Sequence, residues 1–294
     1  MNETFRSGRD FIFSQGRLLE RRLFATCFQG APATGVADAL RGYRNEDGGF
    51  GHGLEPDKRC PASLPIDVEA ALQALAAAGT ADTSLMAGAC EYLATVAAEA
   101  DIGGAVPPAF PVIEGYPRAA HWTDWTYQPG LNPTAGLVGL FRKLKVEHDW
   151  VSQAASWCWR QLAGPELPDD AHALSEVLVF LEHEPDRERA EAAAKRVRDK
   201  LATAAMFHAD PDHHGYGLSP LHFAPAADSV WRSLFPADVI EAHLNRLQRD
   251  QQPDGGWPIT WEPPSEAALL EWRGIVTLSA LRTLVSYGRL DASP

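Results

Sequence analysis

Two kinds of apolar pattern alternate along the chain. In the first kind, apolar residues run nearly all round a predicted helix. Pro65-Ile66-Asp67-Val68-Glu69-Ala70-Ala71-Leu72-Gln73-Ala74-Leu75 is one example, and a second begins at Asn132-Pro133-Thr134 and continues through Ala135-Gly136-Leu137-Val138-Gly139-Leu140-Phe141. Leu174–Leu181 and Trp272–Leu281 read the same way. Helices of this kind need cover on both faces. In the second kind the apolar positions keep to one side. Arg187–Leu201 carries Ala and Val on one face and charges elsewhere, and Ala237–Arg249 spaces Val239, Ile240, His243, Leu244 and Leu247 by three and four. Such helices lie on a surface. Period-two runs of β-branched residues are absent, so the predicted fold is all-α. Covered helices alternating with one-sided ones predict an inner and an outer layer. The predicted architecture is an α/α toroid (an α/α barrel) of about five to six helical hairpins around a central cavity.

Between the helices a glycine turn recurs. Asn45-Glu46-Asp47-Gly48-Gly49-Phe50-Gly51 stands near the start and Gln252-Pro253-Asp254-Gly255-Gly256-Trp257-Pro258 near the end. Weaker copies are Asp101-Ile102-Gly103-Gly104 and Asp212-His213-His214-Gly215-Tyr216-Gly217. Asp-Gly-Gly predicts a tight turn, because glycine accepts positive φ without a Cβ clash. Repetition at both ends fits a closed ring better than an open solenoid. No Ser/Gly-rich linker divides the chain, so residues 1–294 are read as one domain.

Gln251-Gln252-Pro253-Asp254-Gly255-Gly256-Trp257 resembles the Gln-Trp repeat of squalene and hopene cyclases. Asn45-Glu46-Asp47-Gly48-Gly49-Phe50-Gly51 resembles the corresponding repeat of protein prenyltransferase β-subunits. The resemblance to this terpenoid cyclase and prenyltransferase superfamily implies the toroid and a small, largely apolar, isoprenoid-like molecule as ligand in the central cavity. The chain departs from both branches in its chemistry. It has no Asp-x-Asp-Asp acid motif, only Asp169-Asp170 and Asp210-Pro211-Asp212, and no Asp-x-Cys pair of the zinc-holding kind. Catalytic residues therefore carry over from neither branch, and what remains resembles a small single-toroid member.

Charge narrows the partners. With 26 Lys and Arg against 39 Asp and Glu, the net charge is −13. The scattered basic residues disfavour nucleic acid and anionic membranes. No apolar run approaches the roughly 18 residues of a membrane span. Cys27, Cys60, Cys90 and Cys158 lack Cys-x-x-Cys spacing and read as reduced thiols. With no apolar signal region at Met-Asn-Glu-Thr-Phe-Arg, a cytoplasmic protein is expected. No phosphate-binding or dinucleotide fingerprint points to a cofactor. His208, Asp210, Asp212, His213 and His214 form a rich nitrogen-oxygen cluster, but they occupy a turn, and no metal site is assigned to them.

Three loops hold the candidate chemistry. His52-Gly53-Leu54-Glu55-Pro56-Asp57-Lys58-Arg59 packs a histidine, two carboxylates and two cations into eight residues; His52, Glu55 and Asp57 are its candidate catalytic groups. His121, Trp122, Trp125 and Tyr127 suit a pocket wall, since aromatic faces stabilise cations or stack on sugar rings. Glu271, Trp272 and Arg273 immediately precede a buried helix, and His172 lies one turn into another; these four are further candidate ligand contacts. Three functions fit the pattern: an enzyme on a small apolar molecule, a non-catalytic binding protein, or a carbohydrate-active α/α barrel.

Overall fold

The computed structural model describes residues 2–123 and 126–292. Among them lie twelve α-helices and no β-strand. They are α1 (Glu3–Gln15), α2 (Leu18–Gln29), α3 (Thr34–Leu40), α4 (Pro65–Ala78), α5 (Thr83–Ala100), α6 (Leu131–Lys143), α7 (Asp149–Leu162), α8 (Ala171–Glu182), α9 (Arg187–Leu201), α10 (Pro220–Phe223), α11 (Ala237–Arg249) and α12 (Glu266–Ser286). Their ends follow local chemistry. Pro65 opens α4 in its first turn, where a missing N–H costs nothing, and Gly79 closes it in the left-handed region. Side chains of Asp82, Asp170 and Ser265 accept from the first free amides of α5, α8 and α12.

Both predicted classes of helix are present. α6 is buried without a break from Pro133 to Phe141, between α4 on one side and α8 on the other. α9 buries Ala190, Ala193, Ala194, Val197 and Leu201 against α8 and leaves its charges outside. Neighbours follow an order along the chain: α2 packs on α4, α4 on α6, α6 on α8, α8 on α10, α10 on α11, α11 on α12, and α12 on α1 and α2. The most extensive contact is α6 on α8. Gly139 makes it possible, since a Cβ there would overlap the backbone of Val179 and Phe180.

The glycine turns are alike down to their hydrogen bonds. In the first, Gly48 N donates to Asn45 O (3.1 Å), Asn45 N to Gly49 O (3.0 Å) and Gly49 N to Asp47 Oδ1 (2.9 Å). In the second, Gly255 N donates to Gln252 O (2.8 Å), Gln252 N to Gly256 O (2.8 Å) and Gly256 N to Asp254 Oδ1 (3.1 Å). Gly48 and Gly255 have φ of 85° and 91°. Each turn abuts a helix: a Cβ on Gly48 would lie 2.6 Å from Gly88 O of α5, and one on Gly255 would overlap Ser7 O of α1. The weaker copy at Asp101-Ile102-Gly103-Gly104 behaves likewise, with Gly104 against the Ala154 backbone of α7. The last turn thus docks on the first helix, and Gln251 Nε2 adds a bond to Thr4 O at 2.8 Å. Trp257, 3 % exposed, anchors this turn by donating its indole N–H to Leu247 O.

Candidate functional site

The loop that follows the first turn is tied down by its backbone. Gly53 N donates to Cys60 O, Arg59 N to Pro117 O (2.9 Å), and Ala119 N to Asp57 O (2.8 Å). The last two bonds fasten the long connection before α6 to residues 57–59. They also carry Asp57 inward, leaving it 4 % exposed. Two indoles meet it there: Trp272 Nε1 donates to Oδ1 at 2.7 Å and Trp261 Nε1 at 3.2 Å. His121 Nε2 stands 3.5 Å from Oδ2. Burial, followed by the negative charge of Glu55, pushes the Asp57 carboxyl up to about 6 even though the indole bonds favour its ionised form. Burial pushes His121 down.

Other carboxylates in this neighbourhood have their own cations. Glu55 holds the Lys58 ammonium, whose side chain is fully buried and lies 4.8 Å over the Trp122 ring. Glu271 at the start of α12 holds Arg59 at 2.5 Å. Glu20 of α2 takes both arms of Arg17, which also donates to Leu54 O and lies over Tyr43. Burial opposes the Arg17 charge, but Glu20 outweighs it and holds the guanidinium above its ordinary range. Asp67 accepts Glu55 N–H at 2.7 Å, while its buried Oδ2 finds no hydrogen-bond partner. Burial pushes the Asp67 carboxyl up to about 7. Asp57 therefore differs from Glu55, Glu271 and Glu20 in being held by neutral donors.

Aromatic rings continue the site. Trp261 and Trp272 are perpendicular (82°, centroids 5.0 Å apart), and Tyr216 meets Trp261 at 76° and 5.5 Å. The Tyr216 hydroxyl lies 2.7 Å from His172 Nε2, and the two rings are nearly parallel. His172 Nδ1 faces Asp170 Oδ2 at 3.4 Å. Burial, then the charges of Asp57, Asp170 and Glu55, pushes the Tyr216 phenol up to about 12.

A second set of carboxyls lies between the helices. Glu69 of α4 and Glu176 of α8 converge across α6 at Gly136, where any Cβ would overlap the Glu176 carboxyl. Gln73 donates to Glu69 Oε1 at 3.2 Å. Burial raises both acids, and the neighbouring charge of Glu69 raises Glu176 further.

Of the residues expected from the sequence, Glu55, Asp57, His121, Trp122, His172, Glu271 and Trp272 join the first set. His52 does not: its Nε2 bonds Asn45 Oδ1 at 2.8 Å and braces the glycine turn. Arg273 grips Asp254 with both arms (2.8 and 2.7 Å) and lies over Phe11, bracing the other turn. Tyr127 donates its hydroxyl to Glu114 at 3.0 Å. Trp125 lies outside the described residues. The turn histidines have local duties, with His208 Nε2 on Tyr216 O and the His213 ring stacked on it at 3.4 Å. A surface groove of about 400 Å³ beside Asp254 and Arg273 offers no reactive group, since those two charges neutralise each other. Tyr216, Asp67, Glu69 and Glu176 were not singled out from the sequence. Tyr216 is the aromatic of a weak glycine-turn copy, and the carboxyls occupy core-facing positions of apolar helices; both signals were present.

No protein-family model matches the chain, and no curated protein matches it significantly.

Proposed function

We propose that the helices close into an α/α toroid and that the Asp57 cluster is an acid–base site for a small molecule entering its central cavity. The neighbour order from α2 round to α12 and back supports the ring, as does the docking of the last glycine turn on α1. The resemblance of both turns to the repeats of terpenoid cyclases and prenyltransferase β-subunits supports the same architecture. The ligand is inferred to be small with substantial apolar surface, since two indoles and a phenol cluster beside Asp57.

The observation that carries the function is Asp57 itself: a carboxyl 4 % exposed, with two indole donors on one oxygen and the other oxygen facing His121. An acid raised to about 6 exchanges its proton readily near neutral pH, the condition for general acid–base work. Trp261 and Trp272 fix the carboxylate and stabilise it once the proton has left. Glu55, held by Lys58, and Glu271, held by Arg59, set the geometry of the loop and of α12 around it. Tyr216 and His172 supply a second proton-bearing pair beside Trp261.

Native mass spectrometry of the purified protein tests this. A small molecule should be retained by the wild type and lost or weakened in Asp57→Asn, with the helical circular-dichroism spectrum unchanged. Equal retention by both proteins overturns the site. For a turned-over molecule, the rate should follow an ionisation near pH 6; recovery of the molecule chemically unchanged, with no such ionisation, assigns binding without catalysis.

A further inference from the structure

We propose that the molecule bound at this rim is an organic cation, a substituted ammonium placed against Asp57 and the faces of Trp261, Trp272 and Tyr216. This rests on the assignment of Asp57 to a ligand site and adds the ligand's class.

Charge is the first ground. Lys58, Arg59 and Arg17 are each already held by Glu55, Glu271 and Glu20, so none is left to receive an anion. Asp57 is left over as a carboxylate whose hydrogen bonds come from neutral indoles, with the Lys58 charge acting on it only from its pairing with Glu55, and an enclosed charge so weakly compensated is unfavourable. A cation would compensate it. A neutral hydrocarbon would exclude the remaining water and leave the charge worse off. The whole chain, at −13, favours the approach of cations over anions.

Ring geometry is the second, independent ground. Trp261 and Trp272 turn their N–H edges to Asp57, and Trp261 stands nearly perpendicular to both Trp272 and Tyr216, so ring faces of more than one orientation lie beside the carboxylate. The negative face of each ring attracts a cation within about 6 Å of its centroid. Indole N–H bonds to an anion push electron density back into the rings and strengthen that attraction. Access exists: Tyr216 is 40 % exposed and both indoles are half-buried. Methyl groups on the ammonium would contact the rings, which explains how one site suits both charge and apolar surface.

Titration calorimetry and tryptophan fluorescence on the full chain at pH 8 provide the test, with choline and its neutral isostere 3,3-dimethylbutan-1-ol as probes. Choline should bind at least about tenfold more tightly than the isostere, and Asp57→Asn should remove most of that preference. Trp272→Phe, which keeps a ring but loses the N–H, should weaken choline less than Asp57→Asn does. Equal affinity for choline and the isostere overturns the cation assignment yet keeps a small-molecule site, provided the binding depends on Asp57. Absence of binding by either probe overturns the cation assignment too; retention of another, uncharged molecule in an Asp57-dependent way would then show that the site itself survives. Should Asp57→Asn misfold, the wild-type comparison of choline with its isostere still decides.

Discussion

Asp57 and the Glu69–Glu176 pair are both enclosed carboxyls raised by burial, yet their walls differ. Around Glu69 and Glu176 the wall is backbone and helix: α4, α6 and α8 press together over Gly136 and Gly139, and the two acids face each other there. Around Asp57 the wall is indole and imidazole, delivered by three loops and the start of α12, and one oxygen is left without a strong donor. Two acids raised together between packed helices make a structural joint. A lone carboxyl among polarisable rings makes a place for something else to bind. Burial alone does not separate the two cases; what each carboxyl was given as a partner does.

The contrast can be broken from either side. The largest effect should come from Gly139→Ala, because its methyl meets the α8 backbone instead of a movable side chain. We expect a loss of about 3 kcal/mol or more of unfolding free energy by denaturant titration. The control Gly42→Ala, with open space around it, should change stability by less than about 0.5 kcal/mol.

Next in size is a pH dependence. Asp67 is raised from 3.8 to about 7, and the Glu69–Glu176 pair is raised as well. These carboxyls therefore hold more protons in the folded protein than in the unfolded chain between about pH 4 and pH 7, while His222, lowered by burial to about 4, holds fewer. Their contribution to stability falls as pH rises through that window, the reverse of the usual salt-bridged carboxylate, and outweighs the opposite contribution of His222. A drop on the order of 3 kcal/mol between pH 5 and pH 8 is expected, read from thermal or denaturant unfolding. Glu176→Gln, which keeps a hydrogen bond to Glu69 without a second charge, should flatten the slope and raise stability at pH 8. An unchanged slope in both Glu176→Gln and Asp67→Asn would separate these groups from it.

Asp57→Asn should act oppositely to those interior changes: stability within about 1 kcal/mol of wild type at pH 8, with ligand retention lost. The smallest effect belongs to the turns. Arg273→Gln removes an ion pair whose Asp254 partner is half-exposed, so it should cost about 1 kcal/mol or less and leave binding at the rim intact. A large binding defect in Arg273→Gln would move that residue into the site.

The legible part of the molecule was whatever repeats or has a period. The continuous apolar runs at 65–75, 132–141, 174–181 and 272–281 became α4, α6, α8 and α12, and the one-sided patterns became α9 and α11. The two Asp-Gly-Gly turns folded alike because glycine and a short carboxylate determine that turn locally. The density of polar groups at 52–59 pointed to Asp57 and Glu55. It could not separate them from His52, whose partner Asn45 lies in the turn itself. Arg273 shows the same limit: adjacent to Trp272 in sequence, it leaves the helix in a different direction and meets Asp254. Consecutive residues on a helix face apart by about 100°, so a cluster in sequence is divided between surfaces.

What the sequence by itself determined is the all-helical class, the alternation of covered and one-sided helices, and the turn chemistry, because each depends on spacing within a few residues. Tertiary structure alone decided which carboxyl goes without a cation. Arg59 reaches Glu271 and Trp272 reaches Asp57 across more than 200 residues of chain. Charge compensation, ring orientation and burial are properties of what packing brings together, and no local pattern encodes them.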